Sequence, residues 1–170
     1  MQPSRDVLSR VGSLLAAAAV VATALLLSTA SFAQAAPAMH EADPADYGDL
    51  AILRAHGSTV AGRVIRNICD GVVRPRIALV TSAVAVVTEM DPTGSCSGSN
   101  PPGSLDVLVR SGAAWRPSTS TIGSAFTLGA ANGGHPDIVV QYAPFQRNCP
   151  LLRWNGRDYR MARACPGGRG

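Results

Sequence analysis

The chain contains no lysine, so all 15 of its basic residues are arginines. Together with its many alanines, glycines and prolines, this bias is typical of a GC-rich bacterial genome and by itself indicates no function. Charge of either sign is scarce, since charged residues make up 15% of the chain and the formal net charge is +4. So small an excess is ordinary for a soluble protein of 170 residues, and we expect no nucleic-acid partner.

Short catalytic motifs are also missing. The sequence has no G-x-S-x-G elbow, H-E-x-x-H motif, P-loop or Rossmann glycine pattern. His135 and Asp137 are close enough for a general-base pair, but a turn rich in glycine and proline accounts for both. The carboxylates of Glu89, Asp106 and Asp137 could converge, although their spacing does not require it. We expect a non-enzymatic protein; the alternative is a small secreted hydrolase or a hydrolase inhibitor, whose protruding loop would be 91–103.

Metal-binding patterns are absent as well. No two cysteines have C-x-x-C spacing, and the three histidines, His40, His56 and His135, are scattered along the chain. A zinc site needs ligands at close and regular spacing. We therefore expect neither a metal nor a cofactor.

An export signal occupies residues 1–35. Arg5 and Arg10 precede a weakly polar to apolar run at 11–27, and small residues suited to cleavage follow up to Ala35. This order is typical of a secretory signal peptide. An uncleaved anchor is the alternative, because the run is long for a signal peptide, yet it is shorter than the roughly 20 apolar residues of a spanning helix. We predict cleavage after Ala35, a periplasmic or secreted protein and no transmembrane segment in the mature chain.

All four cysteines, Cys69, Cys96, Cys149 and Cys165, follow the predicted signal. An even number of cysteines in an exported chain is typical of disulfides formed in an oxidising compartment. Three pairings are possible. We favour Cys69–Cys96 and Cys149–Cys165, whose short loops would each contribute about 3 kcal/mol in the loop-entropy description.

The exported part predicts one α+β domain at 49–170. Residues 36–48 are polar and interrupted by proline, so we expect a flexible leader there. From Leu50 to Ile68, apolar residues recur near helical spacing, which predicts one amphipathic helix, with a kink or break at Gly57-Ser58 as the alternative. From Arg76 onward, segments rich in β-branched residues alternate with turn residues, which predicts strands and hairpins. The expected architecture is that helix packed on a mainly antiparallel, disulfide-stapled sheet.

Two hairpins with similar sequences are predicted within that sheet. Residues 107–116 align with 151–160 without gaps, so that Arg116 matches Arg160. In the second copy, Asn155-Gly156 between apolar runs predicts a two-residue turn. That turn would pair Arg153 with Asp158 across the strands. It would also place four side chains on the core face, namely Leu152, Trp154, Tyr159 and Met161.

Arginines cluster in and after this second hairpin, where Asp158 is the only acidic residue. Guanidinium groups bind carboxylate, phosphate and sulfate. The candidate binding residues are Arg153, Arg157, Arg160 and Arg163. The expected partner is an anionic envelope component or a protein, and the alternative is a solvated face in a chain that has no lysine.

Residues 47–165 resemble small exported proteobacterial proteins of uncharacterised function that carry a degenerate FG-GAP/VCBS-like module, and the resemblance is most specific in the last 35 of them. Residues 134–140 (GHPDIVV) and 149–159, with their C-P-x-x-R-W-N-G-x-x-Y pattern, carry the resemblance. It implies an exported, disulfide-bonded, sheet-rich domain with no known enzymatic activity. Complete FG-GAP repeats hold calcium in a loop of closely spaced oxygen ligands. Here the corresponding loop retains only Asn132 and Asp137, so we predict no bound calcium.

Overall fold

The computed structural model describes residues 36–90, 103–142 and 147–163, which belong to one compact unit. In these ranges the chain forms one helix, α1 (Tyr47–His56), and a succession of short strands. The strands are β1 (His40–Glu41), β2 (Thr59–Ala61), β3 (Val64–Arg66), β4 (Val72–Val73), β5 (Arg76–Thr81), β6 (Val84–Met90), β7 (Gly103–Ser111), β8 (Ala114–Ile122), β9 (Ala125–Asn132), β10 (His135–Tyr142), β11 (Arg147–Trp154) and β12 (Tyr159–Arg163). The predicted signal peptide lies outside the described residues.

The strands form three antiparallel sheets. Sheet 1 has the order β1-β5-β6-β7-β8, sheet 2 has the order β12-β11-β10-β9, and sheet 3 has the order β2-β3-β4. Consecutive strands are neighbours throughout β5–β8 and again throughout β9–β12, so sheets 1 and 2 each contain a four-stranded meander. The predicted α+β class is therefore wrong: the described fold is mainly β, with a single helix of 10 residues.

The predicted helix from Leu50 to Ile68 is half helix and half sheet. Asp46 caps the start of α1 by accepting hydrogen bonds from the amides of residues 48 and 49. The helix ends at His56 because Gly57 adopts φ 96°, a left-handed conformation that glycine tolerates without steric cost. Beyond it, β2 and β3 form a hairpin that turns at residues 62 and 63. The β-branched residues in this segment fit both helical spacing and strand alternation. Pairing between strands stabilises the extended conformation there.

The segment predicted as a flexible leader, 36–48, is part of the folded domain. His40 and Glu41 pair with the outer edge of β5. The His40 ring lies 2.9 Å from the Asp49 carboxylate, which also accepts the Asp43 amide. Met39 packs against the core. These contacts extend the domain to about residue 36, because a polar segment can be ordered by backbone pairing without a large apolar surface of its own.

Sheets 1 and 2 face each other across the larger of two apolar clusters. Every second side chain along parts of β5–β7 and β9–β12 points into this cluster, as the period-2 alternation of strands requires. Its buried members are Ala78, Val84, Val86, Leu105, Val107, Val109, Phe126, Leu128, Ile138, Val140, Leu152 and Tyr159. The second cluster lies on the opposite face of sheet 1, where α1 contributes Ile52 and Leu53 and sheet 3 contributes Ile65 and Val73.

The two hairpins of similar sequence lie in different sheets, not in one sheet as predicted. The first is β7–β8 of sheet 1 and the second is β11–β12 of sheet 2. The alignment correctly indicates two strand pairs with related sequences. It does not say which sheet each pair joins, because that depends on packing between residues distant in the chain.

The turn of the second hairpin contains four residues, so the predicted register is wrong. Trp154 pairs with Tyr159, and Arg153 pairs with Arg160. Asn155 closes the loop, since its side-chain oxygen accepts the amides of residues 157 and 158. A side-chain cap of this kind competes with the two-residue turn that an Asn-Gly pair otherwise favours.

Neither predicted disulfide joins two side chains that the structure describes. Cys69 is the only cysteine whose side chain the structure describes, so the pairings Cys69–Cys96 and Cys149–Cys165 lie outside the described part. Cys69 is not a free thiol. The described residues therefore do not support the prediction that the sheet is disulfide-stapled.

Candidate functional site

The hairpin β11–β12 places its arginines on the face of sheet 2 that points away from the core. Leu152 and Tyr159 are buried in the core, so the neighbouring Arg153 and Arg160 point the other way. These two arginines lie directly opposite each other across the strands. Like charges in that position repel and destabilise a strand pair unless something neutralises one of them.

Arg153 is neutralised by Asp137 of the neighbouring strand β10. Its Nε lies 3.1 Å from both carboxylate oxygens, and its Nη2 lies 2.7 Å from Oδ2. The Asp137 side chain is 8% exposed and that of Arg153 is 56% exposed, so the guanidinium covers the carboxylate. This hydrogen bond raises the pKa of Arg153 above its usual value. The predicted Arg153–Asp158 pair is therefore wrong.

Asp158 instead lies among three other arginines. Arg116 Nη1 donates to its Oδ1 at 2.6 Å, while Arg160 Nη2 and Arg157 Nε lie 3.5 Å and 3.9 Å from its Oδ2. The hydrogen bond from Arg116, together with the three positive charges, lowers the pKa of Asp158 below its usual value. We call Arg116, Arg157, Asp158 and Arg160 the arginine cluster.

The structure unites two of the four predicted binding residues in this cluster. Arg157 and Arg160 share Asp158, and Arg153 lies beside Arg160 on the same face. Arg163 is exposed at the end of β12, opposite Leu151, and has no ion pair with another described residue. Sequence reasoning missed Arg116 as a member; the one signal for it was its alignment with Arg160.

An aromatic group lies at the base of the same hairpin. The His135 ring stacks on Trp154 at 4.1 Å between centroids, with 6° between the planes. Tyr159 is fully buried and donates its hydroxyl to the Pro136 carbonyl oxygen at 2.9 Å. Burial raises the pKa of Tyr159 above its usual value. Because Asp137 bonds to Arg153 and His135 stacks on Trp154, the geometry does not favour a general-base pair of these two residues.

A second polar site, which sequence reasoning missed, joins α1 to sheet 1. His56 Nε2 lies 3.1 Å from Asp106 Oδ2, and His56 Nδ1 lies 3.1 Å from Ser58 Oγ. Ser104 Oγ donates to the same Asp106 oxygen at 2.7 Å. A cleft of about 180 Å³ opens beside this group and is lined by His56, Asp106 and residues 107, 108 and 117–120.

The environment of the pair favours its charged form. Burial by itself lowers the pKa of His56, but the hydrogen bond and charge of Asp106, with the charge of Glu89, raise it above 6.5. Burial likewise raises the pKa of Asp106, but hydrogen bonds from His56, Ser120 and Ser104 hold it below 3.8. In mildly acidic solution the two groups therefore form an ion pair that ties the end of α1 to β7.

The order Ser58–His56–Asp106 resembles the nucleophile, base and orienting acid of hydrolases. Ser58, however, is buried and does not line the cleft. In the hydrolase triad Nε2 faces the serine and Nδ1 faces the acid, whereas here Nδ1 faces Ser58 and Nε2 faces Asp106. The arrangement fits a structural clamp better than a catalytic site. Across the described ranges, no three His, Cys, Asp or Glu residues are grouped as metal ligands.

No helix of the described chain is long and apolar enough to cross a membrane. No family model matches the sequence, and no curated protein and no solved structure is significantly similar to it. The resemblance to degenerate FG-GAP/VCBS-like modules consequently stays a prediction. The described residues form a mainly antiparallel β domain in which two meanders pack face to face.

Proposed function

We propose that this protein is an exported, non-enzymatic domain that binds an anionic envelope component or partner protein through the β11–β12 hairpin. The observation that carries the proposal is the arginine cluster, in which three guanidinium groups share a single carboxylate. The predicted signal at 1–35 supports export to the periplasm or the exterior.

The distribution of exposure supports the same conclusion. The Arg157 side chain is 89% exposed, that of Arg160 is 68% exposed, and that of Asp158 is 14% exposed. The positive groups therefore face solvent while the neutralising group is covered. Such a local excess of positive charge attracts anionic partners and accelerates their association.

The alternative of a secreted hydrolase has one observation in its favour, the hydrogen-bonded order Ser58–His56–Asp106. The buried serine and the reversed orientation of the His56 ring count against it. The alternative of a hydrolase inhibitor depends on loop 91–103, which lies almost wholly outside the described residues. We therefore favour the binding domain.

Charge reversal in the hairpin is expected to release the protein from the envelope. In cells that produce the full chain, Arg157→Glu/Arg160→Glu/Arg163→Glu should lower the sedimenting fraction at least about fivefold, because attraction to an anionic surface becomes repulsion. The melting temperature should change by less than about 2 °C, because exposed ion pairs contribute little to stability. Fractionation at low and moderate salt, with an immunoblot, measures the first quantity, and calorimetry measures the second.

A matched control is Arg54→Glu/Arg63→Glu/Arg74→Glu, which reverses three exposed arginines distant in sequence from the hairpin. It should sediment as the unaltered chain does. Equal sedimentation of the hairpin variant and the unaltered chain would refute the proposal. An equal loss in both triple variants would also refute it, since total charge and not the hairpin would then be responsible.

A further inference from the structure

The arginine cluster carries two more positive charges than negative ones. Its three guanidinium groups and one carboxylate leave a net charge of +2. The adjacent pair of Arg153 and Asp137 is neutral by itself and does not change this count. A ligand with two negative charges would neutralise the cluster, whereas a single carboxylate would leave one positive charge in excess.

The hydrogen-bonding capacity of the cluster is also incompletely used. Arg116 makes the short contact with Asp158 Oδ1, and its Nη2 donates to the Arg157 carbonyl oxygen. The contacts of Arg160 and Arg157 with Oδ2, at 3.5 Å and 3.9 Å, are longer than good hydrogen bonds. A guanidinium has five N–H donors. Arg157 and Arg160 thus retain N–H donors exposed to solvent, and both guanidinium groups lie within 4 Å of the same carboxylate oxygen.

The backbone that carries these two arginines is held in place. Asn155 accepts the amides of residues 157 and 158 through its side chain, and its own amide donates to the Asp158 carbonyl oxygen. The Tyr159 amide donates to Ser118 Oγ of sheet 1 at 2.7 Å. A site held in its binding conformation loses less conformational entropy when the ligand binds.

We propose that Arg157 and Arg160 bind a doubly charged tetrahedral oxyanion, a phosphate monoester or a sulfate. This inference rests on the proposed function, because it names the ligand class of the same hairpin. Asp158 and Arg116 are positioning residues: Asp158 draws the two guanidinium groups together, and Arg116 occupies the Asp158 oxygen that would otherwise hold one of them. Three oxygens of a tetrahedral anion can then accept hydrogen bonds from both groups at once.

The test uses the full chain and four anions at constant ionic strength: sulfate, glycerol phosphate, acetate and chloride. Titrations at pH 7.5, followed by NMR signals of the arginine side chains, should show saturable binding of the two dianions and none of acetate or chloride. Arg157→Gln/Arg160→Gln should raise the Kd for sulfate at least about tenfold, since charge-assisted bonds to two groups are lost. The control Arg54→Gln/Arg63→Gln should leave the Kd within about twofold.

A change of pH separates a dianion site from a site for any anion. A phosphate monoester has its second pKa near 6, so at pH 5 it carries mostly one charge, while sulfate still carries two. Binding of glycerol phosphate should weaken at pH 5 and that of sulfate should persist. Equal binding of acetate and sulfate, an unchanged Kd in the double variant, or tighter binding of a glutamate-rich peptide than of either dianion would overturn the inference.

Vesicles distinguish the possible sources of the anion. If the source is a lipid headgroup, the chain should bind phosphatidylcholine vesicles that contain phosphatidic acid, a monoester, more tightly than vesicles of equal charge that contain phosphatidylglycerol, a diester. If the source is a soluble anion, the chain should bind the two kinds of vesicle equally, and sulfate should still saturate the site. Loss of envelope association in the charge-reversal variant without any preference for dianions would overturn this inference and leave the proposed function in place. Dianion binding together with unchanged sedimentation of the charge-reversal variant would support this inference and refute the proposed envelope association.

Discussion

Asp106→Asn is expected to lower the free energy of unfolding by about 3 kcal/mol at pH 6, because it removes one partner of a largely buried ion pair. The Asp106 carboxylate accepts from His56 and Ser104, and both its side chain and that of His56 are less than a fifth exposed. Asparagine keeps the shape but brings an NH₂ group toward donors that need an acceptor. Urea unfolding followed by circular dichroism measures the effect.

The control for this substitution is Asp70→Asn. Asp70 is 86% exposed and lies 3.6 Å from Arg66, four residues earlier. Its backbone has φ 64°, which asparagine also tolerates, so stability should change by less than about 0.5 kcal/mol. A loss at Asp106 no larger than the loss at Asp70 would contradict the clamp.

The same pair predicts how stability depends on pH. The folded pKa of His56 is above 6.5, so its contribution is complete below about pH 6.5 and is lost as the pH rises through the raised value. The folded pKa of Asp106 is below 3.8, so its contribution is present above about pH 4 and is lost as the pH falls through the lowered value. The pair should therefore stabilise the domain most in mildly acidic solution.

Unfolding free energies of the unaltered chain and of His56→Gln, measured from pH 4 to 8.5, test this dependence. Their difference should be largest near pH 5–6 and should decrease toward pH 8.5, as the pH rises through the raised pKa of His56. Glu89, whose charge acts on His56, and Ser120, which bonds to Asp106, are unaltered in both proteins. A difference that is constant across this range would show that His56 acts by packing alone.

Tyr159→Ala is expected to have the largest effect, a loss of about 4 kcal/mol of unfolding free energy. Tyr159 is the largest of the fully buried side chains among the described residues, and it lies where sheets 1 and 2 meet. Truncation to alanine would leave a cavity and remove the ring that contacts Trp154 at 5.5 Å between centroids. Thermal and urea unfolding of the purified chain measure the loss.

Tyr159→Phe separates the hydrogen bond from the packing. Phenylalanine keeps the ring but leaves the Pro136 carbonyl oxygen without the hydroxyl that bonds to it, so we expect a loss of about 1–2 kcal/mol. If Tyr159→Ala fails to fold, this milder variant still tests the assignment. Tyr47→Ala is the control, because Tyr47 is 89% exposed, and its effect should stay below about 0.5 kcal/mol. Similar losses at the two tyrosines would contradict the buried role of Tyr159.

Local pattern predicted several strands well. From Arg76 onward the sequence predicts strands and hairpins, and β5, β6, β7 and β10 lie in that part of the chain. These segments are rich in β-branched residues, and a proline or glycine follows β6, β7 and β10 within two residues, at Pro92, Gly112 and Pro144, so nearby residues decide their conformation. The helix was predicted too long because its apolar spacing is compatible with a helix and with strands. Pairing with β2 on one side and β4 on the other stabilises residues 64–66 as a strand.

The amino-acid sequence alone determined that the chain from Arg76 onward is mainly extended and that arginines crowd the last hairpin. The tertiary structure decided which charges meet. Arg116 reaches Asp158 over 42 residues and His56 reaches Asp106 over 50 residues. Each of these contacts joins residues of separate elements. Which residues meet depends on how the sheets and the helix pack over their shared cores. Spacing along the chain carries no record of that choice, because side chains so far apart in sequence become neighbours only after the sheets have formed and packed.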